Sequence, residues 1–460
     1  MSRSQLVVKF AIVAIVVILA FSLTVNWSSS LQMAFLLLVL ASSLWITEVI
    51  PLAATSLLVA FCQPILGIQD FSPALSPFFN PVVMLLLGGF LLARAVEKSD
   101  LDEVFAVKIV KWFGVEPRML TLGLMLTTAF LSMWISNTAS TALMVSLALR
   151  LTAEAKDERG NFAKILVLGI AYSATAGGLA TLIGTAPNTI AVAFLRDLAN
   201  YELTFLGWSL YCLPVTLISI FIIWFLLFRV FPTDTSAINI ERLQQQPLRR
   251  DQRLSLIVFV LAIVLWFSGQ LPEPLANVIG WTGHGLSPSM VAALVAVILF
   301  LLRVLEESDI SKISWSTLLL IGGGLSLGSA LEVSGFVGLI AEGMTNITFG
   351  ISSTILVVIL GFAALGFSII ASNTASASIF IPIAISVGVA TNVHPVILTI
   401  LVATCCNLDF MLPIGTPPNA IAYSTGKIRI QDMVKVGLLL DILCCMLVII
   451  LAITLWGFMI

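Results

Sequence analysis

LSMWISNTAST, at residues 131–141, and GFSIIASNTAS, at residues 366–376, each place a polar Ser-Asn-Thr triplet inside a long apolar run. A second polar break follows each triplet: LIGTAPN at 182–188 and LPIGTPPN at 412–419. Backbone groups in hydrocarbon must find partners within the protein, so such breaks are tolerated where they are buried or line a cavity. We therefore predict that the four breaks meet near the middle of a bilayer and form one binding site.

The composition is typical of a membrane protein. Of the 460 residues, 59% are hydrophobic and 10% are charged, against about 25% charged in an ordinary soluble domain. Apolar stretches of about 20 residues, the length that a helix needs to cross hydrocarbon, recur from end to end. The net charge of −2 and the lack of a basic patch argue against nucleic-acid binding. We predict an all-α polytopic membrane protein.

Eleven apolar segments are predicted to span the membrane: 6–26, 31–49, 52–68, 78–97, 163–194, 207–231, 254–270, 288–304, 315–333, 395–424 and 434–459. Segment 100–114 mixes charged and aromatic residues and is predicted to be an amphipathic helix at the interface. Segment 334–350 is charge-poor. The polar segment 232–252 is predicted to be a cytoplasmic linker between two halves.

The two Ser-Asn-Thr segments are predicted to be re-entrant hairpins, at 118–150 and 351–390. A straight helix over the first would be about 48 Å long, too long for a hydrocarbon core of about 30 Å. It is basic at both ends, with Arg118 and Arg150, and basic flanks favour the cytoplasmic side. A chain that enters the membrane and returns satisfies both observations.

Landmarks of the first half recur in the second at nearly one spacing. Three such pairs are Gly88 and Gly323, 235 residues apart, Ser136 and Ser372, 236 apart, and Asn188 and Asn419, 231 apart. Three landmarks in the same order at nearly one offset indicate an internal duplication.

The basic residues predict that the two copies are inverted. Segments 90–120 and 150–164 together carry nine Lys or Arg, whereas their counterparts, 325–355 and about 386–400, carry none. The next flank reverses, because 425–437 carries three and 194–206 carries one. Equivalent loops thus prefer opposite sides of the membrane, which is typical of an inverted-topology repeat. The odd number of crossings places the N-terminus in the cytoplasm and the C-terminus outside.

Helices interrupted at matching places in two halves point to a transporter site. Each break is predicted to create a helix N-terminus, with Asn or Thr as the cap and Pro in the first turn. Four N-termini at about +0.5 each sum to about +2, which matches a dianion. Serine hydroxyls and freed carbonyls would form oxygen cages for a hard cation such as sodium. These serines, which we expect four apart on one helix face in each half, are Ser132, Ser136, Ser368 and Ser372.

No Lys or Arg stands beside these motifs. We therefore expect an anion to be held with its cations and released once the cations leave, which would couple the two fluxes. The alternative for a single triplet is helix packing, because small polar residues are common between membrane helices. Duplicated triplets paired with duplicated GTxPN turns favour the binding site.

At these residues the sequence resembles the divalent anion/sodium symporter family, the INDY-type transporters of dicarboxylates, citrate or sulfate. The resemblance runs from GGFLLARAVEKSDL through the paired SNT signatures to LPIGTPPNAIAYSTG. It implies sodium as the co-transported ion, a homodimer, and a scaffold part against which a transport part moves as an elevator.

The resemblance also implies the site residues. One sodium site would use Ser132, Ser136, Asn137 and Gly184, and the second would use Ser368, Ser372, Asn373 and Gly415. The anion would contact Asn137, Thr138, Asn373, Thr374 and Pro417. The implied division of the chain is an N-terminal helix (1–30), scaffold parts (31–116 and 253–350), transport parts (117–231 and 351–460) and the linker (232–252).

Two departures from a symmetric site stand out. The first turn has Ala186 where the second has Pro417. Asp409 lies in the apolar run before the second turn, where its counterpart in the first half is near Gly178. An acid inside the membrane is a functional candidate. It could favour proton coupling or add a cation ligand, or it could form a hydrogen bond to a neighbouring helix.

We predict a sodium-coupled symporter that imports C4 dicarboxylates such as succinate, fumarate or malate across a bacterial inner membrane. Sodium-independent dicarboxylate exchange and sulfate or citrate symport are alternatives. An anion channel is a different class, but it would require a continuous pore, often with charged rings. We do not expect an enzyme, because apart from Asp409 no His, Cys or acid pair stands near the breaks. No GxxxxGK[ST] loop occurs, which argues against ATP drive.

Overall fold

The computed structural model describes residues 3–153, 160–235, 247–271, 273–339, 342, 352–391 and 393–458. The helices of this part of the chain are α1 (Arg3–Leu23), α2 (Ser29–Thr47), α3 (Leu52–Ile65), α4 (Phe71–Leu75), α5 (Pro81–Lys98), α6 (Leu101–Phe113), α7 (Pro117–Ser132), α8 (Asn137–Ala153), α9 (Asn161–Gly177), α10 (Ala186–Ala199), α11 (Phe205–Val230), α12 (Arg250–Ser268), α13 (Glu273–Ile279), α14 (Pro288–Leu301), α15 (Glu307–Ile310), α16 (Trp315–Val333), α17 (Ser353–Ile370), α18 (Asn373–Thr391), α19 (Pro395–Cys405), α20 (Pro417–Ser424) and α21 (Ile430–Thr454). Within these ranges there is no strand.

The all-α membrane architecture is confirmed. Ten helices of the described ranges are long and apolar enough to cross a membrane, and α3, α14 and α19 are shorter apolar helices. Eight of the ten and the three shorter helices correspond to the eleven predicted spans. The remaining two, α17 and α18, are the arms of the second predicted hairpin. Most of the charge-poor segment 334–350 and residues 236–246 of the linker lie outside the described residues.

Both predicted hairpins consist of two helices with a break between them. The first hairpin begins at Pro117, where the Glu116 side chain accepts a hydrogen bond from the Met119 N–H at 3.3 Å. It breaks between α7 and α8, and the second breaks between α17 and α18. In each half both arms pack against the helix that follows, α9 in the first half and α19 in the second. The two hairpins therefore occupy equivalent places in the two copies.

Segments 31–116 and 253–350 pack against each other across the two copies. Helix α5 of the first copy packs against α14 of the second, and α16 packs against α3. The contacts are made by equivalent glycines: a Cβ at Gly88 would lie 2.5 Å from the Ala292 carbonyl oxygen, and a Cβ at Gly323 would overlap Ser56. Close backbone approach of this kind requires glycine. The duplicated glycine pair thus marks matching helix crossings.

Contacts at the two ends of the segments α9–α10 and α19–α20 confirm the inversion. Lys164, near the start of α9, pairs with Asp432, near the start of α21, at 3.2 Å. Tyr201, which follows α10, packs its ring on His394, which precedes α19, at 5.6 Å between centroids. The segment α9–α10 therefore starts where α19–α20 ends, and ends where α19–α20 starts. Equivalent segments run in opposite directions.

The end of the molecule that holds Lys164 and Asp432, here called the basic end, gathers further charged loops. Arg249 pairs with Asp100 at 3.0 Å, and Arg150 pairs with Glu103 at 3.7 Å. Both ion pairs are largely exposed and screened by solvent, so neither contributes much to stability. These ion pairs instead show that the loops assigned to the cytoplasm by the positive-inside rule lie together.

Asp309 is a fully buried charged residue near the basic end. Lys98 Nζ lies 2.7 Å from its Oδ2, and Arg94 Nε lies 3.2 Å from its Oδ1. Burial alone would raise the pKa of the Asp309 carboxyl, but hydrogen bonds from Lys98, the Glu306 backbone and Arg94 outweigh burial and hold the pKa well below its ordinary value. Asp309 thereby ties α15 to the end of α5.

Candidate functional site

The first Ser-Asn-Thr break is closed by a serine bridge. Ser132 is the last residue of α7 and is fully buried. Its hydroxyl lies 2.5 Å from Asn137 Oδ1 and 2.7 Å from the Ala174 carbonyl oxygen of α9. One hydroxyl therefore connects the end of α7, the start of α8 and the neighbouring broken helix.

The second break repeats this bridge with equivalent residues. The Ser368 hydroxyl lies 3.0 Å from Asn373 Oδ1 and donates to the Cys406 carbonyl oxygen at 2.5 Å. Because the serines and asparagines share one offset and the carbonyls belong to equivalent helices, the two networks are copies of one arrangement. The structure thus brings Ser132 together with Asn137, and Ser368 together with Asn373.

Serine, and not asparagine, caps the helices that start at these breaks. Ser136 Oγ accepts the Ala139 N–H at 3.1 Å, and Ser372 Oγ accepts the Ala375 N–H at 3.2 Å. The expectation that Asn would cap these two helices was wrong, because Asn137 and Asn373 are already the first helical residues. The expected four-residue face of paired serines was also wrong, since the break interrupts the helix between them.

Two asparagines that the sequence analysis did not place in the site hold the GTxPN turns. Asn188 donates through Nδ2 to the carbonyl oxygens of Gly178 at 2.9 Å and Thr181 at 2.7 Å. Its counterpart Asn419 donates to Asp409 at 3.1 Å and Leu412 at 2.9 Å. All three pairs of equivalent positions are 231 residues apart. The duplicated GTxPN motif was the signal that could have found these asparagines.

The two turns meet across the centre of the molecule. Asn407 donates through Nδ2 to Asn188 Oδ1 at 3.4 Å. Helix α20 of the second copy packs against α8 of the first, and α18 of the second packs against α10 of the first. Each hairpin arm that starts at a Ser-Asn-Thr break thus contacts the turn helix of the opposite copy.

The residues expected to contact an anion lie at the open side of these breaks. Thr138 and Pro417 are exposed, and Asn137, Asn373 and Thr374 are half-buried. They are the first or second residues of α8, α18 and α20. Backbone N–H groups at helix starts lack partners within the helix, so this surface can present donors to an anion.

The glycines expected in the sodium sites lie where a side chain does not fit. A Cβ at Gly184 would overlap the carbonyl oxygen of Gly178, and a Cβ at Gly415 would overlap the Asp409 carboxylate. Gly178 itself faces Asn137, because a Cβ there would lie 2.7 Å from Asn137 Oδ1. In the first half, Ser132, Asn137 and Gly184 therefore belong to one small region that also contains Gly178. Ser136 and Ser372 lie at the rim of the breaks as caps.

A cation at either break would be bound mainly by neutral oxygens. Among the described residues, no group of three or more His, Cys, Asp or Glu side chains could hold a metal ion. From residue 313 to residue 426 the sequence has no Lys or Arg. Hydroxyl, amide and carbonyl oxygens are the ligands that hard cations prefer.

A separate cavity of about 580 Å³ lies at the end of the molecule opposite the basic end, between segment 117–231 and segments 31–116 and 253–350. Its lining includes Leu182 of the first turn, but it includes none of the expected anion or sodium residues. Trp266 of its lining stacks on Trp134 at 6.4 Å between centroids. The cavity therefore lies where these segments meet and not at the breaks.

Comparison with known proteins identifies relatives of this chain. The model of the sodium:sulfate symporter transmembrane region matches residues 2–460. The sodium-dependent dicarboxylate transporter SdcS of Staphylococcus saprophyticus is 32% identical over 432 residues, which cover 88% of this chain and 82% of the relative. SdcS of Staphylococcus aureus strain USA300 is 31% identical over 431 residues, with the same coverage of 88% and 82%.

Two solved structures resemble the fold. The YdaH transporter of Alcanivorax borkumensis superposes with a TM-score of 0.59 at 14% identity, covering 84% of this chain and 88% of that chain. The antimetabolite efflux pump MtrF of Neisseria gonorrhoeae superposes with a TM-score of 0.53 at 13% identity, covering 86% and 83%. At these identities the likeness concerns the fold alone.

Proposed function

The chain belongs to the sodium:sulfate symporter family, and on that premise we propose that it imports C4 dicarboxylates, such as succinate, fumarate or malate, together with sodium. It is a membrane transporter and not an enzyme. The relatives named above are sodium-dependent dicarboxylate transporters, and they support sodium as the coupling ion and a dicarboxylate as the cargo.

The observation that carries the proposal is the duplicated serine bridge. In both copies a buried serine hydroxyl contacts the asparagine that starts a helix at the break. The same asparagines, Asn137 and Asn373, are the residues we propose for both the anion and the sodium ions. A cation bound to the amide oxygen of such an asparagine would hold its amide nitrogen and the helix start toward the anion. Sodium would then organise the anion site, which is the basis we propose for coupling.

The anion would be held by helix starts and hydroxyls. We propose that Thr138, Thr374 and Pro417 contact it together with the two asparagines. With no basic side chain in these segments, the dianion depends on about +2 of helix-dipole charge and on the bound cations. Loss of sodium would therefore weaken anion binding strongly.

We propose that the transport parts (117–231 and 351–460) move as one body against the scaffold parts (31–116 and 253–350). Glycines at the contact support this movement. A Cβ at Gly89 of α5 would lie 3.3 Å from Ile183, and a Cβ at Gly324 of α16 would overlap Ser378. A helix surface without side chains leaves nothing that interlocks with the sliding partner. The scaffold parts would also form the homodimer.

The decisive experiment is uptake of radiolabelled succinate into proteoliposomes with an imposed sodium gradient. We expect uptake that requires sodium, collapses when choline replaces it, and is reduced by unlabelled fumarate and malate. Citrate and sulfate serve as further competitors. If either competes more strongly than fumarate and malate, the protein is a citrate or a sulfate transporter instead. Counterflow that needs no sodium would replace symport by exchange. Flux faster than a carrier allows and indifferent to the sodium gradient would indicate a channel.

Orientation can be tested with single cysteines at exposed positions of the two ends. Glu202 and Lys435 are exposed, and Cys62, which is half-buried, is first replaced by serine. We propose that Lys435→Cys reacts with a membrane-impermeant maleimide only after the cells are opened, because its end carries the basic loops. Glu202→Cys should react in intact cells. The reverse labelling pattern would contradict the proposed orientation.

A further inference from the structure

Asp409 is a buried charge that the duplicated networks do not explain. It is fully buried, and neither carboxylate oxygen has a hydrogen-bond partner among the described residues. From residue 343 to residue 426 it is the one charged residue of the sequence. A buried carboxylate without a partner is strongly unfavourable. Its charge must therefore be neutralised, either by a bound cation or by a proton.

The carboxylate lies at the second predicted sodium site. It is packed against Gly415, so closely that a Cβ on this glycine would overlap both carboxylate oxygens. Asp409 stands three residues after Cys406, whose carbonyl oxygen accepts the Ser368 hydroxyl. The side chain therefore lies in the turn that precedes Pro417, on the chain segment that follows the carbonyl acceptor of the serine bridge.

The first copy has no room for an equivalent side chain. Asp409 corresponds to Gly178, because the backbone carbonyls of both accept the amide of the equivalent turn asparagine. A Cβ at Gly178 would lie 2.7 Å from Asn137 Oδ1 and 2.6 Å from Thr185 Cγ2. The second copy therefore adds a carboxylate at a place that the first copy keeps closed.

A purely structural role would require a donor. The amide donors nearby are already used, and the buried Tyr172 hydroxyl, whose ring packs on Phe410, makes no hydrogen bond among the described residues. Asn419 Nδ2 bonds to two carbonyl oxygens of its own turn. Asn407 Nδ2 bonds to the Ala403 carbonyl oxygen at 2.9 Å and to Asn188. Asp441, the neighbouring buried acid, differs from Asp409, because its Oδ1 accepts the Phe410 N–H at 2.8 Å. Asp441 has a structural bond and Asp409 has none.

We propose that Asp409 is a direct ligand of the alkali cation in the second copy, so that the two cation sites differ in charge. The first site is built from neutral oxygens, and the second includes a carboxylate. This assignment rests on the proposed function, in which sodium is the coupling ion. The second site binds its cation more tightly, because affinity for hard cations rises with the number of charged ligands.

The carboxylate also tightens coupling. With its cation bound, Asp409 is neutralised and leaves the helix start at Pro417 available to the dianion. Without the cation, its negative charge opposes the positive end of that helix and repels the dianion. The second site should therefore fill before the anion binds.

The test measures sodium binding without transport. Purified protein in detergent is titrated with sodium chloride, balanced with choline chloride and without dicarboxylate, and its thermal unfolding is followed. For Asp409→Asn we expect the sodium concentration of half-maximal stabilisation to rise about tenfold, the effect of about 1.4 kcal/mol. In proteoliposomes the Hill coefficient of uptake for sodium should fall toward one. Asp409→Gly introduces the residue that the first copy has at this position. It should show the same change as Asp409→Asn, and it replaces that variant in the test if Asp409→Asn does not fold.

Asp441→Asn is the matched control. It removes the other buried acid, so we expect a lower unfolding temperature but an unchanged sodium dependence. A folded Asp409 variant with the sodium dependence of the wild type overturns the assignment, as does proton uptake that replaces sodium and disappears in Asp409→Asn. If wild-type uptake needs no sodium, the proposed function fails instead, and the two failures are distinguished.

Discussion

The two halves of the site share one set of hydrogen bonds but differ in charge and in space. Both copies have the serine bridge, the serine cap and the turn asparagine. The first copy has Gly178 at the position where the second has Asp409. The comparison shows that the two copies keep the same hydrogen-bonding framework, whereas one side chain, Asp409, distinguishes the proposed cation sites.

The turns differ in a second respect. Asn188 Oδ1 of the first turn accepts from Asn407, whereas Asn419 Oδ1 has no partner among the described residues. Thr416 caps α20 by accepting the Asn419 N–H at 3.4 Å, whereas Thr185 Oγ1 of the first turn is unpartnered in the same part of the structure. The first turn is therefore stabilised by a hydrogen bond from the second copy, whereas the second turn is stabilised by a hydrogen bond between its own residues.

We expect the largest effect from variants of the asparagines that the two breaks share. Asn137→Ala or Asn373→Ala should each lower sodium-driven uptake by about 100-fold or more. Each change removes a proposed ligand of both cargoes. The serine hydroxyl keeps its carbonyl partner, Ala174 in the first break or Cys406 in the second, so we expect the loss in transport and not in folding. Uptake into proteoliposomes measures the loss.

Ser376→Ala is the control for this pair. Ser376 lies in the same helix as Asn373, but its hydroxyl bonds to the Ser372 carbonyl oxygen within the helix at 3.0 Å. We expect its uptake to stay near that of the wild type. Full uptake by either asparagine variant would exclude that residue from the mechanism, and unequal losses would show that one break dominates.

We expect the next largest effect from substitution of the turn glycines, and the cost should differ between the two turns. Gly184→Ala should destabilise the protein by about 1–3 kcal/mol, the usual cost of overpacking, because the new methyl group meets the Gly178 backbone. Gly415→Ala should cost less, because the methyl group meets the Asp409 carboxylate, which can rotate. Thermal unfolding in detergent measures both.

A double variant gives the sharper form of this prediction. In the Asp409→Gly background, Gly415→Ala should cost almost nothing, because the group it would meet is gone. Gly184→Ala should remain as damaging in that background as in the wild type. An additive cost for Gly415→Ala and Asp409→Gly would show that the two positions do not touch.

We expect the smallest effect from a variant that makes the two turns alike. Ala186 is the first residue of α10, and Thr185 before it is extended, with φ −143° and ψ 154°. Proline suits the first position of a helix, and an extended residue suits the position before proline. Ala186→Pro should therefore change the free energy of unfolding by less than about 1 kcal/mol. A KM for succinate changed severalfold would show that the anion contacts this position; a severe loss of folding would contradict the cap geometry.

Much of this architecture follows from local properties of the chain. The length of the apolar runs predicted the spans, and the polar triplets predicted where α7 and α17 end. The basic residues of 90–120 and 150–164 predicted the inversion that the Lys164–Asp432 and Tyr201–His394 contacts confirm. The identity of the caps was missed, because Ser, Asn and Thr all favour such positions, and neighbouring residues cannot be ranked by preference alone.

The sequence by itself determined an all-helical membrane protein with two inverted copies and four breaks, because hydrophobic length, helix interruption and charge bias are properties of neighbouring residues. Only the tertiary structure decided that Ser132 and Ser368 bridge to helices about 40 residues away, and that Asp409 lies on Gly415 without a partner. Those facts depend on which backbones approach each other and on how much space remains between them, and no pattern along the chain specifies that space.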